Sequence, residues 1–279
     1  YGSTGPYAAR GGYDVVASAV GGLMGITGPD GGEPCKVGVA MTDLSTGLYL
    51  HSAILAGLLD RERTGSGMRV EASLLETQVA SLVNVASAYL NGGAEARRLG
   101  TSHASIVPYQ AFATADGHIV VAAMNDGQFA KLCRLMALEG LGADPDYATN
   151  PSRVANRDAL LAVLRPRFAE RTTAEWDSVF GDSGLAFGPI NAVDQVFEDP
   201  QVLHRDMVVE MEHATAGTVR VPGMAVKYTT ACPEQRSPND AAHLAPPRLG
   251  EHTREVLAGL GYTAADTDGL LSRGVLSHA

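Results

Sequence analysis

Apolar and polar positions alternate between two periods along this chain, and the changes of period mark its elements. "YDVVASAVGGLMGITG" carries small and apolar residues at helical spacing and ends in glycines, so it predicts a short helix stopped by Gly25 and Gly28. From Lys36 to Leu59, "KVGVAMTDLSTGLYLHSAILAGLL", residues Leu44, Leu48, Leu55 and Leu59 form one stripe, with Leu50, Ile54 and Leu58 beside it. That helix is apolar nearly all round, and Gly47, Ala53, Ala56 and Gly57 leave room for close approach. The pattern predicts a central, buried helix.

"TGSGMRVEASLLE" then turns and predicts a strand over Met68 to Ser73, and "TQVASLVNVASAYLN" predicts one helix. After a linker, "GGAEARRLGTSHASIVP", the period drops to two. "YQAFATADGHIVVAA" predicts a hairpin turning at Asp116-Gly117. Helices follow at about 126–137, 152–171 and 173–181. Strands return in "MVVEMEH" and "TVRVPG", and "LGEHTREVLAGLG" and "DTDGLLSRGVL" are helical. This order predicts an α/β protein of two lobes. The large lobe takes residues about 1–95 and 213–279, and the small lobe about 96–212.

Composition narrows the classes. The 279 residues are 45% apolar and 19% charged, a globular balance rather than a disordered one. A formal charge of −10 and the lack of a basic stripe argue against nucleic acid. Apolar runs break well short of the roughly 18 residues a membrane span needs, so no membrane partner is expected. Cys35, Cys133 and Cys232 are scattered, as in a reducing compartment. No metal-ligand spacing occurs, and no metal is expected. The chain opens on Tyr1 in what looks like the middle of a loop, and the expectation is that it is cut at its N-terminus.

Candidate chemistry centres on Asp43, where the apolar run begins. Its spacing suits an N-cap accepting from the amides of Ser45 or Thr46, and caps are far commoner than nucleophiles. The two roles are compatible, because a helix start also gathers amides where negative charge can be stabilised. Tyr13 and Asp14 begin a helix, Asp14 as cap or first-turn acid. His103 lies in a linker, and Arg97 and Arg98 sit at a helix end, where they could clamp a carboxylate. No phosphate-binding glycine motif and no G-x-S-x-G elbow are present.

Four ordered stretches carry a resemblance: "YGSTGPYAARGGYDVVASAVGGLMGITG", "GVAMTDLSTGLY" with "RTGSGMRVEASLLE", "GTSHASIVPYQAFATADGHIVVAAMNDGQFAKLC", and "PPRLGEHTREVLAGLG". Together they resemble the class III CoA-transferases, the family of formyl-CoA and carnitine CoA-transferases. Within it, "SGLAFGPINAVDQVFEDPQVLH" and "MVVEMEH" are most similar to members that exchange CoA between succinyl-CoA and glutarate. The resemblance implies a Rossmann-like large domain, a smaller α/β domain and an interlocked homodimer. It places the nucleophile on Asp43 and substrate- or CoA-contacting positions on Tyr13, Asp14, His103, Ala104 and Ser105, the last three in the stretch, about His103 to Ile106, that matches the family's mobile covering loop. The family's loop is glycine-rich, and here the glycines are absent.

The implied reaction moves CoA from an acyl-CoA to a small carboxylic acid through an aspartyl anhydride and an aspartyl-CoA thioester. It uses no cofactor, since the CoA thioester is the substrate. The implied location is the mitochondrial matrix or the cytoplasm. Related racemases place a histidine in G-H-D, where this chain reads Gly12-Tyr13-Asp14, so the proton relay of a racemase lacks a partner. Family members also run much longer at the N-terminus. Two alternatives therefore stay open beside the transferase: a racemase or epimerase of the same fold, and an inactive fragment serving only dimerisation or binding.

Overall fold

The computed structural model describes residues 1–229 and 244–276. Cys232 and parts of the 213–279 return segment lie outside the described residues. The chain divides into two compact units, Tyr1–Ile190 and Asn191–Ala279.

The first unit opens with α1 (Asp14–Val20), α2 (Leu23–Ile26), α3 (Met41–Thr64), α4 (Leu74–Ala80) and α5 (Val83–Gly92). Gly21 closes α1 earlier than Gly25 would, and Gly22 takes a φ of 89° to start α2 in a new direction. α3 ends at Gly65, whose φ of 73° lets its amide reach the Arg61 carbonyl. The expected single helix over 77–91 is two, parted at Ser81 and Leu82. The break separates α4, which packs on α1 and α3, from α5, which buries none of its residues.

Two further expectations fail here. The predicted strand over Met68 to Ser73 is extended but unpaired, because no strand lies beside it among the described residues. Its Met68 instead covers α3 at Gly57, where a Cβ would stand 3.4 Å from Met68 Sδ. Nor is α3 a buried helix. Only Thr42, Thr46 and Gly57 are buried, while Leu44 is 58% and Leu48 69% exposed. The apolar stripe is real, but α1 and α4 cover only the small and polar side of the helix.

The rest of the first unit holds the main core. β1 (Tyr109–Ala113) and β2 (His118–Ala122) form the expected hairpin, with Ala113 opposite His118, and β3 (Ala186–Pro189) adds an antiparallel third strand that the pattern missed. Helices α6 (Asp126–Leu135), α7 (Glu139–Ala143), α8 (Asn150–Ala155), α9 (Arg157–Ala169) and α10 (Thr173–Phe180) accompany this sheet. Phe112 of β1 stacks on Phe168 of α9 at 4.3 Å, and Trp176 stacks on Phe180 at 5.1 Å. The Trp176 indole donates to the Phe168 carbonyl at 2.8 Å, so burying this large ring strands no polar group. Thr172 and Glu175 cap α10 reciprocally.

The second unit contains α11 (Val193–Glu198), α12 (Pro200–His204), the antiparallel pair β4 (Val208–His213) and β5 (Gly217–Pro222), then α13 (Thr253–Gly259) and α14 (Ala264–Ser272). The strand pair and the last two helices follow the pattern. The two short helices before them do not, since five or six residues carry too little periodicity to register.

Candidate active site

α3 begins without a cap of its own. Its N-cap position is Ala40, which has no side chain to offer, and Asp43 stands two residues inside the first helical residue. The N-cap reading of Asp43 is therefore corrected. The capping is done from elsewhere in the chain. Asp14 Oδ2 accepts from the Thr42 amide at 2.7 Å and the Asp43 amide at 3.2 Å. A carboxylate at a helix N-terminus is stabilised by the exposed amides and the helix dipole, so this contact needs only that α1 be held beside α3.

The consequence for Asp43 is twofold. Its own carboxylate is exposed and has no hydrogen-bond partner among the described residues. Its first-turn amides, however, are all engaged: Met41 donates to the Val39 carbonyl and Leu44 to that of Ala40, while Asp14 takes the two between. An oxyanion formed at Asp43 would have to find its donors beyond this turn, contrary to the expectation that the helix start supplies them.

Tyr13 is the N-cap of α1, its carbonyl accepting from Val16 and Ala17 at 3.0 and 2.9 Å. Its side chain is 76% exposed. Tyr13, Asp14 and Asp43 thus share one corner, as the sequence grouped them.

Beneath this corner lies a polar cluster that the sequence reading passed over. The hydroxyls of Ser18 on α1 and Thr42 on α3 are 3.0 Å apart, and Thr42 Oγ1 donates to Gln78 Oε1 on α4 at 2.8 Å. All three residues are buried. One signal could have found them: Thr42 and Thr46 repeat at helical spacing beside the apolar stripe, and Gln78 stands just before the mostly apolar run "VASLV".

The segment His103, Ala104 and Ser105 is a separate feature. Among the described residues no hydrogen bond joins it to Asp14 or Asp43. The His103 ring stacks on Tyr109 at 5.2 Å, and its Nδ1 accepts from the Ser105 amide at 3.2 Å. Arg157 donates to the carbonyls of His103 and Ala104 at 2.9 and 2.8 Å, and Asn150 to that of Ser105 at 2.8 Å. The His103 amide also donates to the Tyr109 carbonyl at 2.9 Å, so five contacts fasten a segment of three residues. Arg98 also has a structural task, holding the Gly32 and Gly25 carbonyls at 2.8 and 3.1 Å. With those donors engaged, a bidentate clamp on a substrate carboxylate is not what the side chain is arranged for. Arg97 is exposed.

No group of three or more His, Cys, Asp or Glu among the described residues could hold a metal ion. No described helix is long and apolar enough to cross a membrane.

Comparison with known proteins places the chain in a family. The sequence profile of CoA-transferase family III matches residues 1–253. The chain is 49% identical to succinyl-CoA:glutarate CoA-transferase of Mus musculus over 279 residues, covering all of this chain and 62% of that protein. It is 37% identical to succinate–glutarate CoA-transferase of Agrobacterium fabrum, over 93% of this chain and 63% of the relative. Among solved structures, a CAIB/BAIF family protein from Brucella suis superposes with a TM-score of 0.78 at 36% identity, covering 93% of this chain and 66% of its own. The chain therefore spans just under two thirds of the length of these relatives.

Proposed function

The chain belongs to CoA-transferase family III, and from that premise we propose that it moves CoA from succinyl-CoA to glutarate or a similar small dicarboxylic acid, with Asp43 as nucleophile. The observation that carries the reading is the division of labour between two carboxylates. Asp14 caps α3, so the Asp43 carboxylate is left exposed at a fixed helix start, free to react. The substrate pair rests on the names of the relatives.

Exchange of CoA between two acids needs a third carboxylate to hold each acyl group in turn. A carboxylate oxygen of Asp43 attacks the thioester carbonyl, and the C–S bond breaks to give a mixed anhydride and CoA thiolate. The thiolate attacks the aspartyl carbonyl, expelling succinate and leaving an aspartyl-CoA thioester. The acceptor carboxylate attacks that thioester and releases the thiolate again, forming a second anhydride. Thiolate attack on the acceptor's acyl carbon then yields the new acyl-CoA and restores Asp43. No net proton or electron is consumed, so the CoA thioester is the substrate and no further cofactor is called for.

Asp14 is the positioning residue in this scheme, and Tyr13 the exposed aromatic beside it, placed to border the acyl-CoA. His103, Ala104 and Ser105 shape the pocket rather than sweep over it, a reading supported by the contacts that fasten them. The homodimer belongs to the same proposal and rests on the family resemblance.

The test is intact mass after incubation with succinyl-CoA and hydroxylamine. Hydroxylamine converts an activated carboxyl to a hydroxamate about 15 Da heavier than the free acid, as expected for a carboxylate nucleophile. The gain should map to Asp43 and vanish in Asp43→Ala. A gain that persists in the variant, or none in the wild type, sinks the assignment.

A further inference from the structure

The buried cluster under Asp43 contains an atom with no hydrogen-bond partner among the described residues. Gln78 is 3% exposed, and its Nε2 has no partner among the described residues, while Oε1 accepts from Thr42 Oγ1 at 2.8 Å. Turning the amide over would only exchange which of its atoms is unpaired, since Thr42 Oγ1 can accept as well as donate. An unpaired buried amide lowers stability, a penalty that leucine or methionine would not carry in this position. The side chain is also fitted closely. A Cβ at Gly21 would lie 2.5 Å from Gln78 Cγ, so α1 carries glycine where α4 carries this stem.

What Gln78 gains for that cost is a grip on Thr42, the residue before Asp43. We propose that Gln78 is a positioning residue for Asp43, acting through the Thr42 hydroxyl; the proposal rests on Asp43 being the nucleophile. α3 has no side-chain cap at Ala40, so its first turn is fixed by two holds. Asp14 holds the backbone amides of Thr42 and Asp43 from α1, and Gln78 holds the Thr42 side chain from α4. The Ser18 hydroxyl, 3.0 Å from that of Thr42, ties the second hold back to α1. With both in place the turn can neither fray nor rotate about the helix axis, and the Asp43 carboxylate keeps one direction. Small displacements of a nucleophile are expensive: misplacement by about 1 Å can cost on the order of 100-fold in rate.

Four variants test this: Gln78→Met, Thr42→Val, the double variant of those two, and Thr42→Ser, which keeps the hydroxyl. Three quantities are measured on each: the single-turnover rate of hydroxamate formation at Asp43, the half-saturating succinyl-CoA concentration, and the thermal midpoint. Gln78→Met and Thr42→Val should each slow trapping by about 10-fold with half-saturation unchanged, a fraction of the loss that misplacement can produce. The double variant should be no slower than the slower single, because both remove one shared contact. Thr42→Ser should stay within about twofold of wild type, since the bond to Gln78 survives.

Wild-type trapping rates in the singles, with only the midpoint lowered, would overturn the proposal and leave Gln78 a packing residue. So would slowdowns that multiply in the double variant. If Gln78→Met does not fold, the contrast between Thr42→Val and Thr42→Ser decides alone. A wild type that never traps at Asp43 removes the nucleophile itself, an outcome distinct from wild-type trapping that the variants share.

Discussion

One oxygen of Asp14 accepts hydrogen bonds from the backbone amides of both Thr42 and Asp43, at 2.7 and 3.2 Å. An acid in the first turn of α1 thereby does the work of an N-cap for α3, across 28 and 29 residues of sequence. Removing a cap costs about 1 kcal/mol. Asp14→Ala should lose that much in denaturant unfolding and also slow hydroxamate formation at Asp43, while Asp14→Asn, which keeps an acceptor, should lose less of both. Unchanged stability in Asp14→Ala would show that the contact holds nothing.

Arg153 is fully buried, with Nε on the Val107 carbonyl at 2.7 Å, Nη1 on that of Tyr147 at 2.8 Å and Nη2 on Asp126 at 2.9 Å. Its guanidinium lies 4.5 Å from the centre of the Phe129 ring. Taking this side chain away orphans two carbonyls in the core of the first unit, a loss of about 3 kcal/mol. Arg153→Ala should shift the urea midpoint accordingly. Arg153→Lys should recover little, because one ammonium cannot reproduce three directed bonds. Full recovery by lysine would mean that only the charge matters.

The fastening of residues 103–105 predicts a local effect. Arg157→Ala removes both bonds to the His103 and Ala104 carbonyls. Amide exchange in peptides spanning 103–106 should quicken several-fold, with β1 and β2 unaffected, since local opening is governed by local contacts. If wild-type exchange there is already as fast as in an unstructured peptide, the segment is a moving cover after all.

Cys133 is buried on α6, and that burial pushes its thiol pKa up to about 11, against opposing pulls from Arg153 and Arg134. The raised value has a definite sign. The folded state keeps the proton while the unfolded chain releases it, so this contribution is intact below about pH 9 and is lost as pH rises toward 11. Stability of the wild type should fall across that window more steeply than that of Cys133→Ala. At neutral pH an alkylating reagent should label the exposed Cys35 and spare Cys133 in the folded protein. Equal labelling of the two would contradict the burial.

Asp116 contributes on the acid side. Its carboxylate accepts from the Thr173 amide at 2.8 Å and from the Thr173 and Thr114 hydroxyls at 3.0 and 3.1 Å, which holds its pKa below the ordinary aspartate value. With the folded pKa depressed, the stabilisation is present above the unfolded value and disappears as pH falls through the folded one. Stability, followed by Trp176 fluorescence in urea titrations at decreasing pH, should therefore depend less on pH in Asp116→Asn, which has no carboxylate to protonate. The expected result is a shallower acid limb for the variant than for the wild type.

Much of the fold was legible in local pattern. The hairpin at Asp116-Gly117 followed from alternation and turn chemistry, both of which act within a few residues. So did α6, α10, α13, α14 and the pair of strands in the second unit, whereas the expected helix over 152–171 is parted at Asn156 into α8 and α9, and α7, α11 and α12 carried no legible signal. Grouping Tyr13 and Asp14 with Asp43 came instead from the family resemblance of the ordered motifs, not from local pattern. Periodicity says which side of a helix is apolar, and for α3 it was right. It does not say what lies against that side, and Leu44 and Leu48 are exposed.

Only the tertiary structure could decide the rest, because each decision needed a partner distant in sequence. Met68 to Ser73 had the composition of a strand but no neighbouring strand to bond among the described residues. Asp43 had the spacing of a cap, yet Asp14 occupied the amides a cap would take. Thr42 and Gln78 looked like incidental polar residues until two helices brought their side chains within 2.8 Å. The sequence determined which residues are candidates for the chemistry; the packing of α1, α3 and α4 determined which carboxylate is held and which stays exposed.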